Sequence, residues 1–426
     1  MTTGDRQALA AANANDPAGR RRAAMLLVAL AAMLLVALAA INLAYAVTLI
    51  WFAYAAADPR TAIPDFAAFW AAGRMALDGT SALAYDWQAH RAVEVAGLGH
   101  DFGGWMPWHY PPPMQLAITP LAALPLWPAM ALWGTLTLGL YLWTCWRILP
   151  DRLTLAAALA VVPTVMLLIN GQAGFLIAGL IGLALIELDR RPLGAGLILG
   201  LTGVKPQLAA AVPLMLIAAG RLRAIAGGLA MLAMLAAVSW EALGGASWPA
   251  FIDSLGATAE TFAGTGVAAQ RWEMGASLFS GLRIVGLDLG PALALHGAAA
   301  LGVLALLIRA WRSPAVAADL RAALLCYATL AVTPRVLSYD LHILLIGALF
   351  QARHVLSQGW FRGEQPLLGL AALGAFLSLL FAPGVTPVLP LALFAACWLG
   401  HVRGRKDGPE RPARGASHVE KEIKAL

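Results

Sequence analysis

A carboxylate among aromatic residues is the first feature of this sequence that can do chemistry. Asp65 lies in the stretch Ile63-Pro64-Asp65-Phe66-Ala67-Ala68-Phe69-Trp70, shortly after a long apolar run. A carboxylate beside such rings can have a modestly raised pKa and accept a proton from a hydroxyl group. The same residue also fits a helix N-cap, because Asp is favoured there and Pro64 precedes it.

Two basic residues have the pattern of a phosphate-binding site. Lys205 and Arg335 each adjoin a proline inside apolar sequence. A helix broken at the proline can present such a cation to a phosphate at the membrane surface. The alternatives are a Lys205 side chain that extends to the lipid interface and an Arg335 that is an ordinary loop residue.

Two short motifs complete the candidate set. Tyr339-Asp340-x-His342 places a carboxylate and an imidazole two residues apart, where both can line a site at a helix start. A capping role for Asp340 and a structural role for His342 are the alternatives. Asn170-Gly171-Gln172 is a turn between two apolar segments, and ordinary turn chemistry explains it equally well.

Composition places these residues in a membrane protein. The chain has 426 residues, of which 60% are hydrophobic and only 12% charged, and its mean hydropathy is +0.74. This composition is typical of a polytopic all-α membrane protein. The basic residues form short clusters between apolar runs, which indicates cytoplasmic loops rather than a nucleic-acid-binding face. The three cysteines lie in apolar runs and have no metal-ligand spacing.

The arginine clusters give the expected topology. Residues 1–23 form a disordered cytoplasmic N-terminus, a membrane domain covers 24–402, and a disordered cytoplasmic tail covers 403–426. We expect about 12 membrane segments, with outer loops at about 55–126 and 241–288 and a helix break at Lys205-Pro206. The first outer loop has two helical patterns, 65–78 and 83–97, and the candidate residues then collect at the outer face of a bacterial cytoplasmic membrane.

The order of these motifs resembles glycosyltransferase family 87. The resemblance covers about residues 25–400, and its motifs are the stretch from Asp65 to Gly79, Tyr110-Pro111-Pro112-Pro113, Asn170-Gly171-Gln172 and Lys205-Pro206. No GxGxxG, Walker or HExxH sequence is present, which argues against a chain carrying its own nucleotide domain.

The resemblance implies a C-type glycosyltransferase (GT-C) fold that transfers a sugar, typically mannose, from a polyprenyl-phosphate donor to a glycolipid or polysaccharide. In that family the acidic residue of the first outer loop, here Asp65, is the general base, and the reaction inverts the anomeric carbon. No cofactor or metal is expected, and the partners are the lipid-linked donor, the acceptor and the bilayer, without nucleic acid. The expected substrate-binding residues are Lys205, Arg335, His342, His109, Tyr110, Gln172 and Arg271.

A transporter or flippase of a polar or lipid-linked solute is the main alternative. Broken helices such as those expected at Lys205-Pro206 and Thr333-Pro334 also occur in secondary transporters. Against this alternative stand the aromatic outer loop, the absence of an internal repeat and the collection of charges at one face instead of the midplane.

Overall fold

The computed structural model describes residues 63–103, 106–160, 162–263, 275–358 and 389–407, together with Ala44 and Thr48. Within these ranges the backbone is helical, with one isolated antiparallel bridge between Gly275 and Leu337. The α-helices are α1 (Phe66–Leu77), α2 (Trp87–Leu98), α3 (Pro112–Ile118), α4 (Leu126–Ile148), α5 (Arg152–Ala160), α6 (Val162–Asn170), α7 (Gly174–Glu187), α8 (Pro192–Leu201), α9 (Ala211–Ala218), α10 (Leu222–Leu243), α11 (Ser247–Ala263), α12 (Leu278–Ile284), α13 (Leu289–Arg312), α14 (Ala318–Val332), α15 (His342–Gln358) and α16 (Leu389–Asp407).

The segment predicted as the first outer loop contains the two helices that the sequence predicts. Helices α1 and α2 are separated by a turn in which Gly79 has a φ of +74° and by a 3-10 helix at Ser81–Tyr85. Asp86 caps α2 by accepting the backbone N–H of Ala89 at 2.8 Å. The short helix α3 begins with prolines at its first turn, where a missing N–H costs nothing.

The segment predicted as the second outer loop also contains helices. Helices α11 and α12 lie within 241–288, where the sequence indicates little beyond a glycine-rich loop. The rings of Phe251 in α11 and Tyr85 in the first loop are 5.7 Å apart. The segments predicted as the two outer loops are therefore in contact with each other.

Among the described residues, two helices, α10 and α13, are long and apolar enough to cross a membrane. A third span is present if α5 and α6 are counted together, although the pair bends by 59° between them. The sequence predicts a membrane segment at 153–169, and α5 and α6 occupy this range as two helices with a bend between them. The predicted count of about 12 spans is not confirmed. The long apolar run before Asp65, residues 24–54, lies almost entirely outside the described residues.

The predicted helix break at Lys205-Pro206 is confirmed. Helix α8 ends at Leu201, two short 3-10 helices surround Lys205, and α9 begins at Ala211. Before the break, α8 packs closely on α10, since a Cβ added at Gly196 would lie 2.0 Å from the carbonyl oxygen of Ala224. This close approach is possible only without a side chain, and it fixes the end of α8 that leads into Lys205.

Candidate functional site

Asp65 forms a side-chain contact across the fold instead of a helix cap. It precedes α1, but its side chain makes no capping hydrogen bond. The Nε2 atom of Gln172 donates to the Oδ2 atom of Asp65 at 2.8 Å, and the Tyr110 hydroxyl donates to the Oε1 atom of Gln172 at 2.8 Å. Because a carboxylate only accepts hydrogen bonds, this chain fixes the orientation of the Gln172 amide and of the half-buried carboxylate.

A glycine makes this contact possible. Gly171 has a φ of +69°, a left-handed conformation that L-residues adopt at a cost. A Cβ at this position would also lie 2.5 Å from the Cβ of Phe66. The turn that presents Gln172 to Asp65 thus needs glycine both for its backbone and for its closeness to α1.

Aromatic rings line the Asp65 side of the site. The ring centroid of Phe69 lies 4.8 Å from that of Tyr110 and 5.4 Å from that of Trp108. Phe66 stacks against Phe69 at 6.2 Å and packs on Trp133 of α4 at 6.5 Å. The aromatic surroundings expected for Asp65 are therefore present, and they hold α1 against α4.

Lys205 lies in a buried ion pair. Its Nζ atom is 2.6 Å from the Oδ1 atom of Asp340, and the two side chains are 4% and 3% exposed. The Oδ2 atom of Asp340 also accepts the backbone N–H of Leu337 at 3.1 Å, which is the capping role considered for it. The side chain of Lys205 therefore does not extend to a lipid interface.

Tyr339 connects the ion pair with Asp65. The Nζ atom of Lys205 lies 5.1 Å from the centroid of the Tyr339 ring, a cation–π arrangement. A Cβ at Gly174, two residues after Gln172, would lie 2.4 Å from the carbonyl oxygen of Tyr339. The turn around Gln172, which binds Asp65, therefore packs directly on the Tyr339-Asp340 segment, which binds Lys205.

The electrostatics of Tyr110 also indicate that Asp65 and Asp340 lie near each other. Burial, followed by the negative charges of Asp340 and Asp65, raises the pKa of Tyr110 well above its ordinary value, and its bond to Gln172 opposes this. The phenol therefore stays protonated and continues to donate to Gln172. Both carboxylates influence one buried hydroxyl, as expected of a single site.

Arg335 and His109 complete the cluster. Arg335 is half-buried, and burial lowers the pKa of its guanidinium. Burial, together with the charge of Arg335 and a smaller effect of His90, lowers the pKa of His109 to about 4. His109 is consequently a neutral imidazole at pH 7, able both to donate and to accept a hydrogen bond.

His342 lies beneath this cluster and is 1% exposed. Its Nδ1 atom is 3.0 Å from the carbonyl oxygen of Tyr339, and its Nε2 atom is 3.1 Å from the Thr164 hydroxyl. The rings of Tyr141 and Phe175 contact it edge-on. This arrangement orients the Tyr339-Asp340 turn, and direct contact of His342 with substrate stays a prediction.

The structure brings together most of the residues singled out from sequence. Arg271 lies outside the described residues, so its role stays a prediction. Asp340 was a candidate from sequence, but its pairing with Lys205 was not predicted, because 135 residues separate the two. The expected site residues that meet in the cluster are Asp65, His109, Tyr110, Gln172, Lys205 and Arg335.

A buried neutral pair supports α2 near the site. The Nδ1 atom of His90 and the Oε1 atom of Glu94 are 3.6 Å apart, and both side chains are fully buried. Burial lowers the pKa of His90 to about 4 and raises that of Glu94 to about 8. Despite the short distance, the pair is therefore uncharged at pH 7. The Nε2 atom of His90 contacts the carbonyl oxygen of Ala68 at 3.1 Å and so joins α2 to α1.

The described residues thus form a helical protein with apolar helices long enough to cross a membrane and a cluster of buried polar side chains. The model of glycosyltransferase family 87 matches residues 108–334, more than half of the chain. The chain therefore belongs to glycosyltransferase family 87 and is a membrane glycosyltransferase. The matched range includes His109, Tyr110, Gln172 and Lys205, but it begins after Asp65 and ends just before Arg335. No curated protein and no solved structure matches the chain.

Proposed function

We propose that this glycosyltransferase moves a mannosyl group from a polyprenyl-phosphate donor to a glycolipid or glycan acceptor, with inversion at the anomeric carbon. The reaction takes place at the outer face of a bacterial cytoplasmic membrane. The proposal uses no metal or cofactor beyond the lipid-linked donor. Its main support is the Asp65 carboxylate, held by Gln172 in one cluster with Arg335 and the Lys205–Asp340 pair.

Asp65 is the proposed general base. As the acceptor oxygen attacks the anomeric carbon, its proton passes to the Asp65 carboxylate. Gln172 donates to the carboxylate and Tyr110 donates to Gln172, so two neutral hydrogen bonds orient the proposed base. A positioned base contributes roughly 10²–10⁴-fold to the rate.

The cations are proposed to bind the leaving phosphate. The bond between the anomeric carbon and the phosphate oxygen breaks as the acceptor bond forms, and polyprenyl phosphate departs with one additional negative charge. Arg335 is the more accessible of the two cations, because Lys205 is 3% exposed whereas Arg335 is half-buried. Arg335 therefore contacts the phosphate, and the buried Lys205, aligned by Asp340, adds positive charge to the site.

Purified protein in nanodiscs tests the proposal directly. It is incubated with polyprenyl-phosphate mannose and a mannoside acceptor, and the product is analysed by mass spectrometry and by NMR of the anomeric proton. We expect an α-linked product from a β-linked donor. A β-linked product would refute inversion, and transfer only from a different lipid-linked sugar would refute the assignment of mannose.

A further inference from the structure

Arg335 lies in an extended segment between helices α14 and α15. Helix α14 ends at Val332, and both Thr333 and Leu337 have extended backbone angles. Leu337 forms the isolated antiparallel bridge with Gly275. The backbone groups of an extended segment find their hydrogen-bond partners in other parts of the chain, unlike those within a helix. The partners of this segment therefore determine how firmly the backbone of Arg335 is held.

Two consecutive residues bind the backbone on both sides of Arg335. The backbone N–H of Ala276 donates to the carbonyl oxygen of Val336 at 2.7 Å. The hydroxyl of Ser277 donates to the carbonyl oxygen of Pro334, 57 residues further along the chain. The carbonyl groups of both neighbours of Arg335 are thus bound by one short segment.

The hydroxyl of Ser277 has a complete set of partners. Besides donating to Pro334, its oxygen accepts the backbone N–H of Ser280 at 3.1 Å as the N-cap of α12, and it lies 3.0 Å from the Ser280 hydroxyl. A serine hydroxyl offers one donor and two acceptor sites, so all three are used. The residue is also 1% exposed. The Ser277 side chain therefore joins α12 to the segment that contains Arg335.

Helix α12 is itself fixed against the rest of the fold. The ring centroid of Phe279 in α12 lies 6.4 Å from that of His296 in α13. The Nε2 atom of His296 is 3.1 Å from the carbonyl oxygen of Val332, at the end of α14. Tertiary packing therefore places Ser277 beside the Arg335 segment, and the hydroxyl bond to Pro334 adds a specific constraint on the backbone there.

We propose that Ser277 is a positioning residue for Arg335, and through it for the phosphate of the lipid-linked donor. A long arginine side chain loses conformational freedom when it binds a phosphate, and a fixed backbone reduces what remains to be ordered. Without the Ser277 contact, the backbone beside Arg335 moves more freely and the donor binds more weakly. This inference rests on the proposed function, specifically on Arg335 as the residue that contacts the donor phosphate.

Three substitutions separate the two roles of the Ser277 hydroxyl. Ser277→Ala removes both the bond to Pro334 and the cap of α12. Ser277→Gly also removes the bond to Pro334, but glycine is itself an accepted N-cap residue. Ser277→Thr keeps a hydroxyl for both roles. Ser254→Ala is the matched control, since the Ser254 hydroxyl in α11 likewise donates to a backbone carbonyl, that of Phe251, at 2.7 Å.

The first measurement is the Kd of radiolabelled polyprenyl phosphate for the full-length protein in nanodiscs. We expect Ser277→Ala and Ser277→Gly to raise the Kd by about tenfold, the upper range of one neutral hydrogen bond. Ser277→Thr and Ser254→Ala should keep the wild-type Kd. An unchanged Kd in Ser277→Ala, or a normal Kd in Ser277→Gly, would overturn the proposal. If Ser277→Ala does not fold, Ser277→Gly decides alone, because it retains the cap.

A double-mutant cycle distinguishes positioning from a general loosening of the fold. Arg335→Ala weakens the binding of polyprenyl phosphate, and Ser277→Ala has no further effect in that background, because Ser277 acts through Arg335. Losses that add would overturn the positioning role while leaving the proposed function intact. A Kd that Arg335→Ala does not change would overturn the phosphate contact of the proposed function and this inference with it.

Transfer kinetics supply a further readout. With polyprenyl-phosphate mannose as the donor, Ser277→Ala raises the donor KM by about tenfold and leaves the acceptor KM unchanged. A KM raised equally for both substrates would contradict a role confined to the donor phosphate. Because binding of polyprenyl phosphate requires no transfer, the Kd measurements decide the inference even if the donor carries a sugar other than mannose.

Discussion

Replacing Asp340 by asparagine tests the buried ion pair on which the cationic side of the site depends. The Nζ atom of Lys205 is 2.6 Å from Asp340, and both side chains are almost completely buried. The asparagine side chain can still accept the Leu337 N–H, so the substitution removes mainly the charge. Leaving one ion of a buried pair uncompensated costs about 3–5 kcal/mol, a large part of the 5–15 kcal/mol that typically stabilises a protein.

Equilibrium unfolding in mixed micelles measures this cost through a double-mutant cycle of Asp340→Asn and Lys205→Met. We expect each single substitution to lower the free energy of unfolding by about 3–5 kcal/mol. The double substitution should lower it by clearly less than the sum of the two single effects, because it leaves no unpaired charge buried. Asp78→Asn is the matched control. Asp78 pairs with Arg74 at 3.1 Å, but these side chains are 44–49% exposed, so the loss is at most about 1 kcal/mol.

Two results would refute this reasoning. One is an Asp340→Asn variant that is no less stable than Asp78→Asn, which would mean that the Lys205 charge is not buried. The other is a double variant whose loss equals the sum of the single losses, which would mean that the two charges do not interact.

Three further predictions concern the residues around the site. Gly171→Ala lowers the free energy of unfolding by more than about 1 kcal/mol, because Gly171 has a φ of +69° and a Cβ there would meet Phe66. A variant as stable as the wild type would contradict this close approach. Tyr110→Phe lowers kcat by up to about tenfold in transfer assays, because one hydrogen bond to Gln172 is lost; an unchanged kcat would show that this bond does not orient Asp65. Since the pKa of Glu94 is raised to about 8, its contribution to stability is complete below pH 4.5 and is lost as pH rises toward 8. The measurement is thermal unfolding of the wild type and of Glu94→Gln from pH 4.5 to 8. The stability of the wild type relative to the variant should fall as pH rises, because the opposite contribution of His90, whose pKa is lowered to about 4, is common to both proteins; a constant difference would refute the prediction.

Local sequence was sufficient to predict the elements that carry the site. Proline and glycine mark the turn at Gly79, the break at Lys205-Pro206 and the turn at Gly171, and each lies where it was expected. These features depend on backbone geometry, which a few adjacent residues determine. The bend within the predicted segment at 153–169 was not expected, although Pro163 lies in this range.

Long-range partners could not be predicted from the sequence. The Lys205–Asp340 pair joins residues 135 positions apart, and the Asp65–Gln172 contact joins residues 107 apart. Local sequence favoured an N-cap for Asp65, but the tertiary fold brings Gln172 to the carboxylate instead. Burial likewise decides that the His90–Glu94 pair is neutral, and a single sequence does not reveal burial of this kind.

The most direct test of the central claim is the single-turnover transfer rate of Asp65→Asn, measured with purified protein in nanodiscs and compared with the wild type and Asp78→Asn. Asparagine has nearly the same shape but cannot accept the acceptor proton. The account expects a rate lower by about 10²–10⁴-fold, with binding of polyprenyl-phosphate mannose unchanged and Asp78→Asn near wild-type activity. A near-normal rate for Asp65→Asn would contradict its role as the general base.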